Sequence, residues 1–428
     1  MVLRDGETVL ERYWEPYTGN DLALVYSASK TFTAAAVGLA IEEGHLSLSD
    51  RIVDLLDPGG QSRRADPGAA QITVHHLLSM STGHTEDTQA VLEQHPAEDW
   101  ADLLLALAPQ ARVGSVHTYN NGASWALGEA VRRRTGQDLL EYLQPRLLEP
   151  LGIAATWDRD RLGRCLGWTG LHVNTRALAA MGELYRCDGL RDGRRLLPEG
   201  WVATSTSAQI PTAEDSPEWD YGYGYQLWLG REGYRLDGAF GQFAFVLPAR
   251  GLVIAVQSAQ SCTQQLIDLL WEHLDAGTLL QEPGEQSLAL PVPADSGAGG
   301  QWVSSGPVPH DPALAEPGEE QGEPADLTGL VARREGGRFR VRCTAEGHPL
   351  ELVAEPGRWH RQQLQLGDTS VPVALAAGVD ASGALLLRLV LTDTPHTLRI
   401  RLAADGTAGQ AWRVKPLQGP RLRRMRAG

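Results

Sequence analysis

Y-S-A-S-K-T-F-T-A-A-A, residues 26–36, holds Lys30, one of only two lysines in the chain; the other is Lys415. The remaining 36 of the 38 basic residues are arginine. Ser27 precedes Lys30 by three positions, and the stretch predicts a helix from about Ser27 to Glu43, stopped by Gly44 where a C-terminal glycine belongs. Positions i and i+3 of a helix share one face, so the two side chains are within reach of each other. A serine hydroxyl is a poor nucleophile until a base takes its proton. Lysine serves only when neutral, and both burial and the positive helix N-terminus lower its pKa from ~10.4. Arginine stays protonated at any ordinary pH. S-x-x-K therefore reads as a nucleophile–base pair that arginine cannot replace. Ser29, the rival hydroxyl, points away from Lys30 and reads as a structural member of the first turn.

A three-letter spacing also arises by chance, so further elements decide. H-T-Y-N-N-G-A-S-W-A-L-G, His117 to Gly128, places Tyr119 and Asn121 in a turn before a helix. The phenol of Y-x-N can relay a proton between serine, lysine and a leaving group, and the amide can bond a substrate carbonyl or orient the lysine. In Y-R-L-D-G-A-F-G-Q-F-A-F-V-L-P, Tyr234 to Pro248, Gly238 lets a strand backbone approach a ligand closely. The N–H of Ala239, with that of Ser27, would then make a two-donor oxyanion hole.

In this order, S-x-x-K, Y-x-N and a glycine motif on a late strand, the chain resembles the serine β-lactamase and penicillin-binding-protein superfamily, above all class C β-lactamases and their esterase relatives. I-T-V-H-H-L-L-S-M-S-T-G-H (72–84), L-L-E-P-L-G-I (147–153) and D-G-A-F-G-Q-F-A-F-V-L-P (237–248) are similar to stretches of that family. The resemblance spans about residues 1–275. It implies Ser27 as the acylated nucleophile, Lys30 as base and Tyr119 as second proton carrier. It also implies Asn121 as a substrate-facing amide and the Ala239 N–H in the oxyanion hole. Penicillin-recognising members carry K-T-G or H-x-G on the late strand, where the cation holds a substrate carboxylate. Here the triplet is Leu236-Asp237-Gly238, and Arg235, one step along, is expected on the other face. Asp237 and Gly238 are thus expected to meet neutral ester or amide substrates, with Asp237 repelling carboxylates. The reaction expected is that of a carboxylesterase or amidase. The alternatives are a β-lactamase or D-alanyl-D-alanine carboxypeptidase, and a non-catalytic binding or scaffold member. No G-x-S-x-G elbow supports an α/β-hydrolase.

Strand character occurs at Val2–Glu11, around an Asp5-Gly6 turn, and returns at Tyr221–Leu229, Tyr234–Leu236, Phe243–Leu247 and Leu252–Gln257. Helical patterns lie between, at His75–Met80, Trp100–Leu107, Ala123–Thr135, Leu139–Leu148 and Thr175–Tyr185, and Thr263–Leu274 closes the block. This predicts an α/β (α+β) domain over residues 1–280: an antiparallel sheet built from both chain ends, flanked by helices, with a helical subdomain, as the β-lactamase/transpeptidase resemblance also implies. Residues 281–326, rich in Pro, Gly and Glu, read as a linker. Residues 327–428 alternate in period two and read as an accessory all-β module, similar to the lipocalin-like modules of some relatives.

The 428 residues carry 53 acidic against 38 basic side chains, a net charge of −15, which argues against a nucleic-acid partner. The basic cluster Arg421–Arg426 reads as a solvated tail. Four scattered cysteines and no H-E-x-x-H give neither a disulfide framework nor a zinc site, and neither metal nor organic cofactor is expected. The first residues hold no apolar run, so neither a signal peptide nor a membrane span is expected, and the expected location is cytoplasmic.

Overall fold

Asp5 and Gly6 take positive φ angles of 49° and 85°, the geometry of a tight hairpin turn. They join β1 (Val2–Arg4) to β2 (Glu7–Leu10). Late in the chain come β3 (Trp228–Gly230), β4 (Gly233–Gly238), β5 (Gln242–Leu247) and β6 (Leu252–Val256). Together they form one antiparallel sheet in the order β2-β1-β6-β5-β4-β3. The first strand lies against the last, Val2 opposite Ile254. The computed structural model describes residues 1–60, 65–96, 98–214, 216–281, 289–316, 318–319 and 321–422.

Helices fill the middle of the sequence: α1 (Ser29–Glu42), α2 (Trp100–Ala106), α3 (Asn121–Thr135) and α4 (Thr175–Arg186). In α1 every residue from Ser29 to Ala40 is buried. The run T-F-T-A-A-A-V-G-L-A offers no polar face, so this helix sits inside the core rather than on it. Lys30 is buried because its helix is.

Two elements differ from their sequence reading. The helix expected over Leu139–Leu148 is α-helical only to Leu143, and Gln144–Leu148 continue as a wider π turn; Pro145 has no N–H to extend the α ladder. The strand expected over Tyr221–Leu229 survives only as β3. Gln226 reverses the chain at a φ of 58°. Its buried amide donates to the carbonyls of Leu77 and Leu78 and accepts from Ser124 Oγ, while its backbone carbonyl accepts from Thr31. Four partners on three helical segments outweigh one ladder rung.

The chain divides into two compact units, Met1–Glu11 with Val25–Gln257, and Arg12–Leu24 with Ser258–Gly428. In this division the first unit ends at Gln257 and α5 (Thr263–Asp275) falls in the second. Residues 12–24 belong there too, held by an Arg361–Asp21 ion pair and by Leu24 N–H donating to Asp393 O at 2.9 Å.

In the second unit β7 (Gln301–Val303) precedes a half-barrel of β8 (Leu327–Glu335), β9 (Arg338–Ala345), β10 (His348–Pro356), β11 (His360–Leu366), β12 (Thr369–Val379), β13 (Leu385–Leu391), β14 (Thr397–Leu402) and β15 (Ala408–Trp412). Neighbouring strands are antiparallel except for a short parallel contact of β10 with β12. The expected linker is partly structured. β7 pairs with β8, and Trp302 is 3% exposed with its indole N–H donating to Gly383 O. A tryptophan amid Pro and Gly was the signal that this stretch packs. Residues 282–288 of that segment, and 423–426 of the basic tail, lie outside the described residues.

Candidate active site

Tyr26 to Ala28 form a 3₁₀ turn that runs directly into α1. Ser27 thus stands in the turn, and the helix starts two residues later than expected. Tyr26 holds a φ of 47°, a left-handed conformation that is costly for a bulky residue. Its ring rests edge-on against Phe240 at 5.4 Å. Ser29 Oγ donates to Tyr26 O at 2.6 Å and accepts from Leu171 N–H at 3.2 Å, which ties the strained turn down.

Lys30, one turn on, is 1% exposed. Its Nζ donates to Ser27 Oγ at 2.9 Å and to the carbonyl of Trp168 at 3.0 Å. Burial pulls the lysine down to about 7, against the carboxylates of Asp87 and Asp237, which raise it. Near neutral pH the amine is therefore a free base for a large part of the time.

The Tyr119 hydroxyl hydrogen-bonds Ser27, and burial pushes the phenol well above its ordinary range. Its ring stacks on Trp228 with centroids 5.7 Å apart, and Lys30 Nζ lies 4.6 Å from its centroid. The two groups around Ser27 are thus driven apart in acidity. Lys30 gives up its proton readily and Tyr119 keeps one, a division suited to one base and one acid.

Asn121 is the first residue of α3 rather than part of the preceding turn. Its Nδ2 donates to Asp87 Oδ2 and Gln89 Oε1, both at 2.6 Å, and its backbone N–H donates to Asp87 Oδ1 at 2.8 Å. The amide hydrogens expected to meet a substrate carbonyl are spent inside the protein, and no bond to Lys30 forms. Its Oδ1 is buried and has no hydrogen-bond partner. Next door, Asn120 Oδ1 accepts from the Thr88 hydroxyl at 2.7 Å and pins the same loop. Asp87 and Gln89 escape sequence reading, because T-E-D-T-Q carries no motif spacing. The Trp168 carbonyl escapes it too, since any residue supplies one.

Gly238 ends β4 against the nucleophile turn. A Cβ there would lie 2.1 Å from Val25 O and 3.2 Å from Ala28 N. The turn carrying Ser27 is thus what demands glycine, rather than a ligand. Ala239 opens the following turn, and among the described residues neither its N–H nor that of Ser27 has a protein acceptor.

Arg235 lies on the face of β4 opposite Leu236, as expected, and there it pairs with Asp237. Residues two apart on a strand share a face, and Arg235 Nε donates to Asp237 Oδ2 at 2.9 Å. Trp219 Nε1 donates to the same oxygen at 2.8 Å, and Arg235 Nη1 donates to Glu218 O at 3.0 Å. Leu236, fully buried, points to the opposite face. A cation does stand beside Asp237, then, but it is 1% exposed and paired. Burial raises the Asp237 carboxyl, opposed by Arg235 and by the Trp219 bond.

Among the described residues no group of three or more His, Cys, Asp or Glu could hold a metal ion, and the four cysteines are free. No helix among them is long and apolar enough to cross a membrane.

A Beta-lactamase family model matches residues 1–272, more than half of the chain. The chain belongs to the Beta-lactamase family. This family member is 25% identical over 216 residues to the 6-aminohexanoate-dimer hydrolase of Paenarthrobacter ureafaciens, covering 47% of this chain and 55% of that protein. It is 27% identical over 167 residues to the lovastatin esterase of Penicillium rubens, covering 34% and 42%. The chain thus spans about half the length, or less, of these curated relatives. Among solved structures, a putative 6-aminohexanoate-dimer hydrolase from Bacillus anthracis superposes with a TM-score of 0.57 at 20% identity, over 66% of this chain and 79% of that one. At that identity the likeness is one of fold.

Proposed function

We propose that this family member is a serine hydrolase of small esters or amides, a carboxylesterase or amidase working through an acyl-enzyme on Ser27. The observation that carries the reading is Lys30 Nζ, donating to Ser27 Oγ at 2.9 Å from a site that holds its pKa near 7. Neutral Lys30 takes the Ser27 proton as Oγ attacks the substrate carbonyl. The N–H groups of Ser27 and Ala239 hold the oxyanion. Tyr119, protonated at neutral pH, gives its proton to the leaving group and recovers one from the water that cleaves the acyl-enzyme. Both curated relatives bear names of enzymes that open an amide or an ester, which supports this reading.

The β-lactamase or D-alanyl-D-alanine carboxypeptidase reading is disfavoured by the Arg235–Asp237 pair. Arg235 is buried and its charge is already offset by Asp237, which would weaken its hold on a substrate carboxylate. Turnover of a p-nitrophenyl short-chain ester and of a chromogenic cephalosporin, beside a Ser27→Ala control, tests the choice. Ester turnover that vanishes in the control is expected. Cephalosporin turnover would favour the second reading. Turnover of neither, with no fluorophosphonate label on Ser27, would leave a non-catalytic member.

A further inference from the structure

Every carbonyl from Gly167 to Leu171, a wholly buried stretch, accepts from a different donor. The backbone N–H groups of Asp158 and Val25 serve Gly170 and Leu171, at 2.8 and 3.0 Å. The carbonyls before them are held by side chains: Gly167 O by Thr33 Oγ1 at 2.7 Å, Trp168 O by Lys30 Nζ at 3.0 Å and Thr169 O by Trp157 Nε1 at 2.9 Å. Thr33 is fully buried, one turn beyond Lys30 on α1. Its hydroxyl has one hydrogen to give, and the second acceptor within reach, Ser29 O, stands farther off at 3.4 Å. The carbonyl that faces the reacting amine is thus bracketed on both sides.

A carbonyl only accepts, so Trp168 O keeps an N–H of Lys30 whether the amine is charged or neutral. Ser27 Oγ can do either: it accepts from the ammonium and donates to the free base. With one N–H fixed on Trp168, the lone pair of the neutral amine is left to Ser27 Oγ, 2.9 Å away. The other groups that act on Nζ are the Tyr119 ring, 4.6 Å from it, and the charges of Asp87 and Asp237, which favour the ammonium.

We infer that Thr33 is a positioning residue for acyl transfer: by holding Gly167 O it keeps Trp168 O on Lys30, and so keeps the lone pair of the amine on the Ser27 hydroxyl. As the Ser27 O–H bond breaks, its proton passes to Nζ. The Oγ electron pair forms the bond to the substrate carbonyl carbon, whose π pair moves onto its oxygen. Trp157 steadies the same peptide stretch from the other side. The inference rests on the acyl-enzyme reading of Ser27.

Thr33→Val keeps the shape of the side chain and removes its hydroxyl. An ammonium released from Trp168 loses an acceptor, which favours the free base. The midpoint of kcat/KM against pH, read with p-nitrophenyl acetate, is therefore expected to fall by about half a unit to one unit. The plateau is expected to drop roughly tenfold as the lone pair loses its aim. Thr33→Ser is expected to restore both. Thr31→Val removes another buried hydroxyl of α1, bonded to Gln226 O; it is expected to lower the melting temperature and leave the midpoint in place. Trp157→Phe strips the N–H from Thr169 O, is expected to shift the midpoint in the same direction, and carries the test if Thr33→Val does not fold. Because the chain holds only two lysines, NMR of lysine labelled with carbon-13 at Cε follows the Lys30 titration without substrate. A midpoint that stays or rises in these variants while Ser27-dependent turnover persists would mean a merely structural role, and would overturn the inference alone. No Ser27-dependent turnover in the wild type would overturn the inference and the hydrolase reading together.

Discussion

Removing the amine of Lys30 should make the protein more stable, and by an amount that depends on pH. The lysine stands at about 7 in the folded chain against an ordinary 10.5. Between those values the unfolded chain binds a proton that the folded chain does not, so wild-type stability rises with pH across the window. The penalty is fully present below about pH 7 and gone above about pH 10.5. At ~1.4 kcal/mol per unit it amounts to about 4 kcal/mol at pH 7, where the folded group is half titrated, and about 2 kcal/mol at pH 9. Lys30→Met escapes this cost. It forfeits two hydrogen bonds, to Ser27 Oγ and Trp168 O, and leaves the buried carbonyl without a donor, at roughly 1–3 kcal/mol. The variant is expected to be more stable by about 1–3 kcal/mol at pH 7 and to lose about 2 kcal/mol of that margin by pH 9. Urea unfolding of both chains at the two pH values measures this, and all other titrating groups cancel in the difference. A margin that stays constant within about 0.5 kcal/mol, or a variant less stable at both pH values, would refute the depressed lysine.

The same group sets the rate. kcat/KM for a p-nitrophenyl ester is expected to rise with pH through a midpoint near 7 and to fall about tenfold per unit well below it; a flat profile from pH 5 to 8 argues against Lys30 as base. Tyr119→Phe keeps the stack on Trp228 and removes only the hydroxyl, so kcat is expected to drop roughly 10²- to 10⁴-fold with little change in melting temperature. Gly238→Ala puts a methyl 2.1 Å from Val25 O; thermal unfolding should show a loss of about 2–4 kcal/mol together with lost activity. Asp237→Asn removes the nearer of two carboxylates from the buried Arg235, which keeps Glu218, and should cost about 3 kcal/mol, read by urea unfolding. If stability is unchanged, the Arg235 pairing is not structural.

Much of the sheet, and the proximity of Ser27, Lys30 and Tyr119, was legible, and the reasons are specific. The hairpin turn at Asp5-Gly6 and the alternation after Tyr234 are local signals, so the two ends of the sheet could be read separately. Lys30 stood out because it is one of two lysines in an arginine-rich chain and follows a serine by three positions, where a deprotonatable amine has a chemical use that arginine lacks. Legibility ended where long-range partners decide geometry. The strand expected over 221–229 yields to Gln226, whose four hydrogen-bond partners lie far away in sequence. Asn121 was found by motif, but its direction is set by Asp87, which no spacing connects to it. Arg235 lies on the face opposite Leu236, as expected, but its pairing with Asp237 went unread because its register was counted from Leu236 alone. Counted from Asp237, two residues away, period two puts both on one face.

Acid-quenched mass spectrometry after mixing with excess p-nitrophenyl acetate asks whether Ser27 carries the acyl group. One acetyl group is expected on the peptide containing Ser27, absent from Ser27→Ala. In Tyr119→Phe it should accumulate, because water activation slows. Acetyl on Ser29 or on a residue outside this site, or ester turnover that survives Ser27→Ala, would show that the nucleophile lies elsewhere.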